Sequence, residues 1–523
     1  DECKNSLDMV FNKKRANDRK VWLGNYKRED ILDSTHINIS YSDFVNKEMI
    51  HFSKYDCERS IPNLMDGLKI STRKILFSAF KRNLIKEIKV AQLAGYVSEH
   101  SCYHHGEKSL TEAIVNQAQE YVGSNNIAVL MPNGQFGTRL KGGADHASER
   151  YIFTQLNPIT KFIYNTDDLN VLKYLDDDGT SIEPEFYVPI IPMILVNGTK
   201  GIGTGFSTDI CSHKPLQIIK YLQSNLENKN NKESKNNQEN KLKIEPYFEG
   251  FKGTIKKITE DKYLIKGCYK KIGTSKVMIT ELPIGMWTEK FKEHLETLLP
   301  NKKKNGIIRN YNDNSTDTKI NFTITLLSGC LNKLLVKNIE HGCNEFEKVF
   351  KLYTTKRTTN MHLFNSNNKL KKYKTVYEII EDYIPIRLEY YQKRKEYQIA
   401  ELEKQLIVLS NKARFIKEQC DDNLDLRRKK KNIVIELLKS MKFDIINNDK
   451  TYKYLRTMSI DSVEEENYNK LMKDVEEKKK LLNKIQKTTI QQQWVKELNI
   501  LEKEYLKYRT KRKQRNDGVS MKK

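Results

Sequence analysis

The stretch Gly134-Gln-Phe-Gly-Thr-Arg-Leu-Lys-Gly-Gly-Ala-Asp-His-Ala-Ser-Glu-Arg-Tyr-Ile-Phe-Thr154 organises the reading of the whole chain. A glycine-rich, basic loop runs into a single Arg-Tyr pair, Arg150 and Tyr151. A tyrosine phenol titrates near pH ~10 and is a weak nucleophile. It becomes a useful one only where a base or a cation stabilises its oxyanion. Arginine keeps its proton and forks well onto phosphate. An arginine beside a tyrosine, after glycines that let a backbone approach closely, is what attack on a phosphodiester requires. The pair alone does not establish that chemistry, because Tyr151-Ile-Phe-Thr154 reads equally as the start of an ordinary strand or helix.

Around this stretch, the 523 residues suffice for about three or four domains. The formal net charge is +24, with 38% hydrophobic and 31% charged residues. That apolar content is low for a compact globule and suits long exposed helices and charged inserts. The positive balance favours a polyanionic partner, nucleic acid ahead of an acidic membrane. Lys and Asn are both abundant and have AT-rich codons, so genomic composition accounts for part of the charge. The eight cysteines lie far apart and none forms a Cys-x-x-Cys pair, which argues against zinc and against a disulfide framework. A reducing compartment is expected. No apolar run approaches the ~20 residues of a membrane span. Asp1 is not a natural start, so the chain is expected to be a fragment in which missing targeting signals carry no weight.

Residues 1–45 are polar and basic, with Lys13, Lys14, Arg15, Arg19 and Lys20 close together. They read as a phosphate-contacting arm or as a solvated helix face. From Tyr41 to about Leu175 the pattern is mostly helical, including Ser71–Phe80 with Ile75, Leu76, Ala79 and Phe80 inward, then Val90–Gly95 and Ser109–Val122. Short helices, tight turns and basic residues fit a helix-turn-helix module and also other small helical cores. Tyr187–Asn197 reads as a buried extended segment, and Gly198–Gly205 as a glycine-rich loop without a nucleotide-binding ending. Ile202, alone between glycines, is either a wedge for base pairs or an inward-packed side chain. Residues 225–241 and 302–319 look like disordered inserts, the second interrupting a β-rich region over 244–327. Helical periodicity then runs from Val376 to about Cys420 and from Ser462 to about Tyr508, which predicts an antiparallel coiled coil capped by a patch at 424–460.

Taken together, these residues resemble a family. Glu58-Arg-Ser-Ile-Pro, Asp66-Gly-Leu-Lys, Arg73-Lys, Val90-Ala-Gln-Leu-Ala-Gly, Tyr103-His-His-Gly-Glu and Val122-Gly-Ser-Asn-Asn resemble, in order and spacing, the DNA breakage and rejoining region of eukaryotic type IIA DNA topoisomerases. So do Gly134-Gln-Phe-Gly-Thr-Arg, Arg150-Tyr-Ile-Phe-Thr, Gly198-Thr-Lys-Gly-Ile-Gly-Thr-Gly, Ile279-Thr-Glu-Leu-Pro and Arg387-Leu-Glu-Tyr-Tyr-Gln-Lys-Arg394. The resemblance implies an α+β multidomain fold. Its parts are a basic arm or linker (1–45), a winged-helix cleavage domain (46–190), a tower domain with Asn/Lys-rich inserts (191–366) and a coiled coil (367–523) with a dimer gate at about 420–462.

By the same resemblance, Tyr151 attacks a DNA phosphate and holds the 5′ end, Arg150 stabilises the transition state, and His105 assists. Arg59, Lys69, Arg73, Tyr103, Ser109, Arg19 and Lys20 contact DNA, and Ile202 intercalates. The implied partners are double-stranded DNA and a second copy in a homodimer, with no membrane. The implied location is the nucleus, and the implied activity of the full-length enzyme is ATP-dependent relaxation and decatenation. Two departures stand out: Ile70-Ser-Thr-Arg73 replaces the family's Pro-Gly-Gln-Arg, and Glu149 precedes Arg150 where small residues or Pro are commoner. Neither an ATPase region nor the metal-binding TOPRIM carboxylates are visible, so Mg²⁺ and ATP are expected to bind outside this chain, with no metal site in it. Asp176-Asp-Asp178 reads as a solvated loop. On this reading the chain alone binds and bends DNA but cleaves it poorly or not at all. The competing reading is a basic DNA-bending scaffold without chemistry.

Overall fold

In the computed structural model, residues 2–33, 35, 37–228, 243–300, 306–446, 448–458 and 465–517 are described. Two compact units result. One comprises Asp1–Thr166, Leu172–Arg387 and Val495–Lys523; the other comprises Asp167–Val171 and Leu388–Trp494. The architecture is α+β and multidomain.

In the first unit, the helix Ile70–Lys81 is amphipathic: Ile75, Leu76 and Ala79 are fully buried, as their spacing predicts. Phe80 is only half-buried and meets the edges of the Tyr164 and Tyr187 rings at 6.0 and 5.7 Å. The helices Ile50–Ser60, Val90–His100 and Glu107–Ala118 pack around it. The opening residues are more than an arm. Helices Glu2–Phe11 and Ala16–Gly24 bury Val10 and Leu23, and Leu23 joins a small core with Ile50, Cys57, Ile61 and Phe206.

Tyr187–Asn197 is buried, but its end is not extended. Met193–Asn197 winds into a helical turn entered at Pro192, whose fixed φ suits a helix start. Gly198–Gly205 is not an open loop either. It forms a tight antiparallel hairpin, Thr199–Gly203 against Phe206–Ile210, with Ile202 opposite Ser207.

The β-rich region holds two main sheets. The four-stranded one has the order Ile308–Asp313, Phe322–Leu326, Lys276–Glu281, Cys268–Lys271, and the three-stranded one Tyr353–Arg357, Lys262–Lys266, Thr254–Thr259. Val277, Ile279, Phe291, Phe322 and Ile324, all fully buried, form the core under the first. The disordered insert expected at 302–319 is corrected over 308–313. That polar run pairs along Phe322–Leu326 because Ile308 supplies a buried anchor. Residues 301–305 and 229–242 lie outside the described residues, while 225–228 close the helix Pro215–Asn228.

The second unit is an antiparallel helical pair. Within the long helix Val376–Cys420, Tyr391 meets the buried Trp494 at 5.5 Å, Lys395 Nζ donates to the Thr488 carbonyl, and Gln405 Oε1 accepts from Lys478 Nζ. The partner numbers fall as the first rise, which fixes the direction. The return arm is two helices, Glu465–Lys487 and Ile490–Asn516, rather than the single one that the periodicity predicts. A cap closes the pair, with Phe415, Leu424, Leu438, Phe443 and Leu455 at its centre.

Candidate active site

The loop Gly134–Thr154 is held from several sides. Thr138 donates its N–H (2.9 Å) and hydroxyl (2.5 Å) to the Asp145 carboxylate. Gln119 Nε2 donates to the carbonyls of Phe136 (2.9 Å) and Gly143 (3.2 Å), and the Tyr121 hydroxyl to that of Gly142 (2.8 Å). Gly142 has φ +66°, and a Cβ there would stand 2.3 Å from the Trp287 ring, so only glycine fits. Arg139 reaches across to Glu281 in a buried ion pair.

The Arg-Tyr pair is pinned at both ends. The carbonyls of Glu149 and Ile152 accept from Ala91 N (3.1 Å) and Val90 N (3.0 Å), the first turn of the helix Val90–His100. Ile152 is buried, and Phe153–Thr154 pairs with Ile88–Lys89. Tyr151 is left standing out at 73% exposure beside an exposed Arg150, next to the positive end of that helix. Among the described residues neither side chain is hydrogen-bonded or ion-paired.

His105 lies in a groove of about 270 Å³ lined by Tyr55, Arg59, Lys74 and Tyr103 among others, and Tyr151 is not among its walls. The His105 Nε2 meets the Tyr55 hydroxyl in a short hydrogen bond. Burial pushes the His105 imidazole below its ordinary pKa, and the neighbouring Arg59, His104 and Lys74 add to the effect. Lys74 is itself fixed by Glu183 (2.9 Å) and the Ser101 carbonyl, which anchors the His104-His105 turn. Tyr103 is buried with its ring edge-on to His105, and Ser109 is exposed in the first turn of Glu107–Ala118. Asp176-Asp-Asp178 is not a plain solvated loop. It lies in the hairpin formed by Tyr174–Asp177 and Thr180–Pro184, where Asp177 accepts from His104 at 3.2 Å.

The hairpin lifts Ile202 into solvent at 77% exposure. Its strand lies flat on the helix Ile50–Ser60, and a Cβ on Gly201 would come 2.0 Å from the Ser60 carbonyl. Asp56 accepts from both the N–H (2.7 Å) and the hydroxyl (2.8 Å) of Thr204 at the turn.

Three residues expected on DNA are occupied elsewhere. Lys69 Nζ donates to the Lys200 carbonyl at 2.9 Å, and burial lowers its pKa. Arg19 is buried, donates to the carbonyls of Met9 (3.0 Å) and Asn12 (2.6 Å), and lies over the Phe206 ring at 5.9 Å. Arg73 is buried in a forked pair with Asp66, at 2.7 and 3.1 Å. Arg19 and Arg73 are thus buried and Lys69 half-buried, and Lys69 and Arg19 lie against the Ile202 hairpin. Lys20 is half-buried, its pKa lowered by burial and then by Lys372.

The family model for the A-type subunit of DNA gyrase/topoisomerase IV matches residues 59–502. The chain belongs to the type IIA DNA topoisomerases. A second model, the C-terminal associated domain of TOPRIM, matches residues 1–57, which accounts for folded helices where the composition suggests an arm. Plasmodium falciparum DNA topoisomerase 2 is 40% identical over 530 residues, covering 95% of this chain and 37% of the relative. The Saccharomyces cerevisiae DNA topoisomerase 2 is 38% identical, covering 97% of this chain and 38% of the relative. The chain therefore spans little more than a third of these relatives. A solved structure, the Plasmodium falciparum topoisomerase II DNA-binding, cleavage and re-ligation domain, superposes with a TM-score of 0.87 at 40% identity, covering 98% of this chain and 71% of that one.

Among the described residues of this topoisomerase chain, no group of three or more His, Cys, Asp or Glu is placed to hold a metal ion. Magnesium demands near-octahedral oxygen ligation, and the carboxylate adjoining the Arg-Tyr pair, Glu149, stands next to Arg150 and accepts from Ser148 Oγ at 3.3 Å. These residues do not make a magnesium site. No described helix is long and apolar enough to cross a membrane. Tyr55, Asp56 and Gln119 escaped the sequence reading. For Tyr55 a signal existed, since it lies one helical turn before Arg59 and so shares its face.

Proposed function

We propose that this chain is the DNA breakage and rejoining part of a type II topoisomerase, with Tyr151 as the nucleophile. The observation that carries the reading is the pinned Arg150-Tyr151 pair, exposed and without internal partners. The Tyr151 oxygen forms a bond to phosphorus as the bond from phosphorus to the 3′ oxygen breaks. The phenolic proton leaves, and the departing 3′ oxygen takes one up. The product is a 5′-phosphotyrosine ester. Because one ester replaces another, the reverse step reseals the strand without ATP. Arg150 offers a preorganised cation for the charge that grows on the phosphoryl oxygens. His105, with its lowered pKa, is a neutral imidazole at pH 7, suited to accept or pass a proton in the groove that also presents Arg59.

The exposed Ile202 acts as a wedge. Unstacking a base step costs about a few kcal/mol, offset by contacts along the bent duplex. One tyrosine breaks one strand, so a double-strand break takes two copies, a homodimer on double-stranded DNA. Relaxation and decatenation by the full-length enzyme, its ATP and Mg²⁺, and a nuclear location extend the same reading. Magnesium, when bound, would supply Lewis-acid stabilisation of the charge on the phosphoryl oxygens.

The test is Tyr151→Phe in the full-length protein. With radiolabelled duplex, the wild type leaves a 5′-linked covalent adduct after denaturation, whereas the variant leaves none while its DNA affinity is unchanged. An adduct that persists in the variant sinks the nucleophile assignment. A wild-type enzyme that never forms one favours the scaffold reading.

A further inference from the structure

Gln119 leaves the helix Glu107–Ala118 in extended conformation, at φ −65° and ψ 133°, and Glu120 and a bend at Tyr121 follow. Successive side chains of an extended segment point to opposite sides. Gln119 and Tyr121 both hold backbone carbonyls of the Gly134–Thr154 loop. Glu120, between them, is buried and faces the helix Ile490–Asn516 instead. Its Oε1 accepts from the Tyr508 hydroxyl at 2.8 Å, its Oε2 pairs with Arg515, and its backbone carbonyl accepts from Arg512. The Tyr508 hydroxyl accepts in turn from Ala128 N at 3.1 Å, and Arg512 Nη1 donates to the carbonyls of Asn125 and Asn126, each at 2.9 Å. Three consecutive residues are thus shared between a helix on one side and the cleavage loop on the other.

We propose that this arrangement is a brace: Glu120 and Arg515 are positioning residues for Tyr151, because the seat of the helix Ile490–Asn516 sets where the loop presents the Arg150-Tyr151 pair. The proposal rests on Tyr151 being the nucleophile. Its physical basis is that Glu120 cannot shift without carrying Gln119 and Tyr121, and with them the carbonyls of Phe136, Gly142 and Gly143. A misplacement of about 1 Å at a reacting centre costs up to about 100-fold in rate.

The experiment uses the full-length protein and single-turnover adduct formation at saturating duplex, with DNA affinity and thermal unfolding measured alongside. Arg515→Ala slows adduct formation between about 10- and 100-fold without weakening DNA binding, and Arg515→Lys restores most of the rate. Tyr121→Phe, which cuts the loop side of the brace, slows it similarly. The double variant Arg515→Ala/Tyr121→Phe is no slower than the slower single variant, because both act through one displacement. A merely structural loss would instead be independent, and its effects would multiply. An unchanged rate in Arg515→Ala, or multiplying effects, overturns the brace while leaving the nucleophile in place. An adduct that survives Tyr151→Phe removes the nucleophile reading and the brace with it.

Discussion

His213 is held in the core by its own backbone. Its N–H donates to the Leu195 carbonyl at 2.7 Å, its carbonyl accepts from Asn126 Nδ2 at 3.1 Å, and the side chain is almost wholly buried. Burial pulls the imidazole from 6.5 down to about 4. Between those values the unfolded chain takes up a proton that the native one refuses. Stability is therefore unaffected by this group above about pH 6.5, falls as pH drops toward about 4, and loses no more below that. The whole loss is about 3 kcal/mol. Denaturant titrations at stepped pH check it. His213→Gln flattens the difference between pH 7 and pH 4, and an equal slope in wild type and variant contradicts the assignment.

The hairpin Thr199–Gly203/Phe206–Ile210 separates two kinds of residue on one element. Ile202 projects into solvent, so Ile202→Ala changes stability by less than about 0.5 kcal/mol while the bend seen by end-labelled fluorescence transfer on a duplex is lost. Gly201 faces the Ser60 carbonyl, so Gly201→Ala must push the strand off its helix, losing the bend and lowering the melting temperature together. Equal bending by wild type and Ile202→Ala would remove the wedge. The same element shows what sequence could and could not convey. The glycines of 198–205 were legible as a special stretch, but the reason for Gly201 and Gly203 lies in a helix about 140 residues upstream, against which they pack. The long helices were legible because periodicity is local, whereas the break near Thr489 is not a matter of period. Motif and spacing singled out Tyr151, Arg150 and Ile202, the exposed members of the candidate site. Arg19, Lys69 and Arg73 also hold partners within the chain that no motif spells out, since a sequence does not say which carbonyl or carboxylate a cation will meet.

At the scale of the molecule the excess of 24 positive charges has a measurable counterpart. Contacts to about 6–10 phosphates release counterions, and affinity for duplex DNA then falls by about 10³–10⁵ between roughly 50 and 200 mM salt. Anisotropy titrations across that range give the slope, and a flat one would leave the charge as compositional bias. Such contacts hold any sequence equally. On the proposed wedge role, the feature that would discriminate is the tip at Ile202, held by Asp56, Lys69 and the underlying helix. A tip that does not yield makes the duplex do the yielding, and pyrimidine–purine steps unstack most readily. On the proposed function, the place where a duplex is opened would be decided by local stiffness: a map of weak joints rather than of base letters, and one that torsion in the duplex redraws.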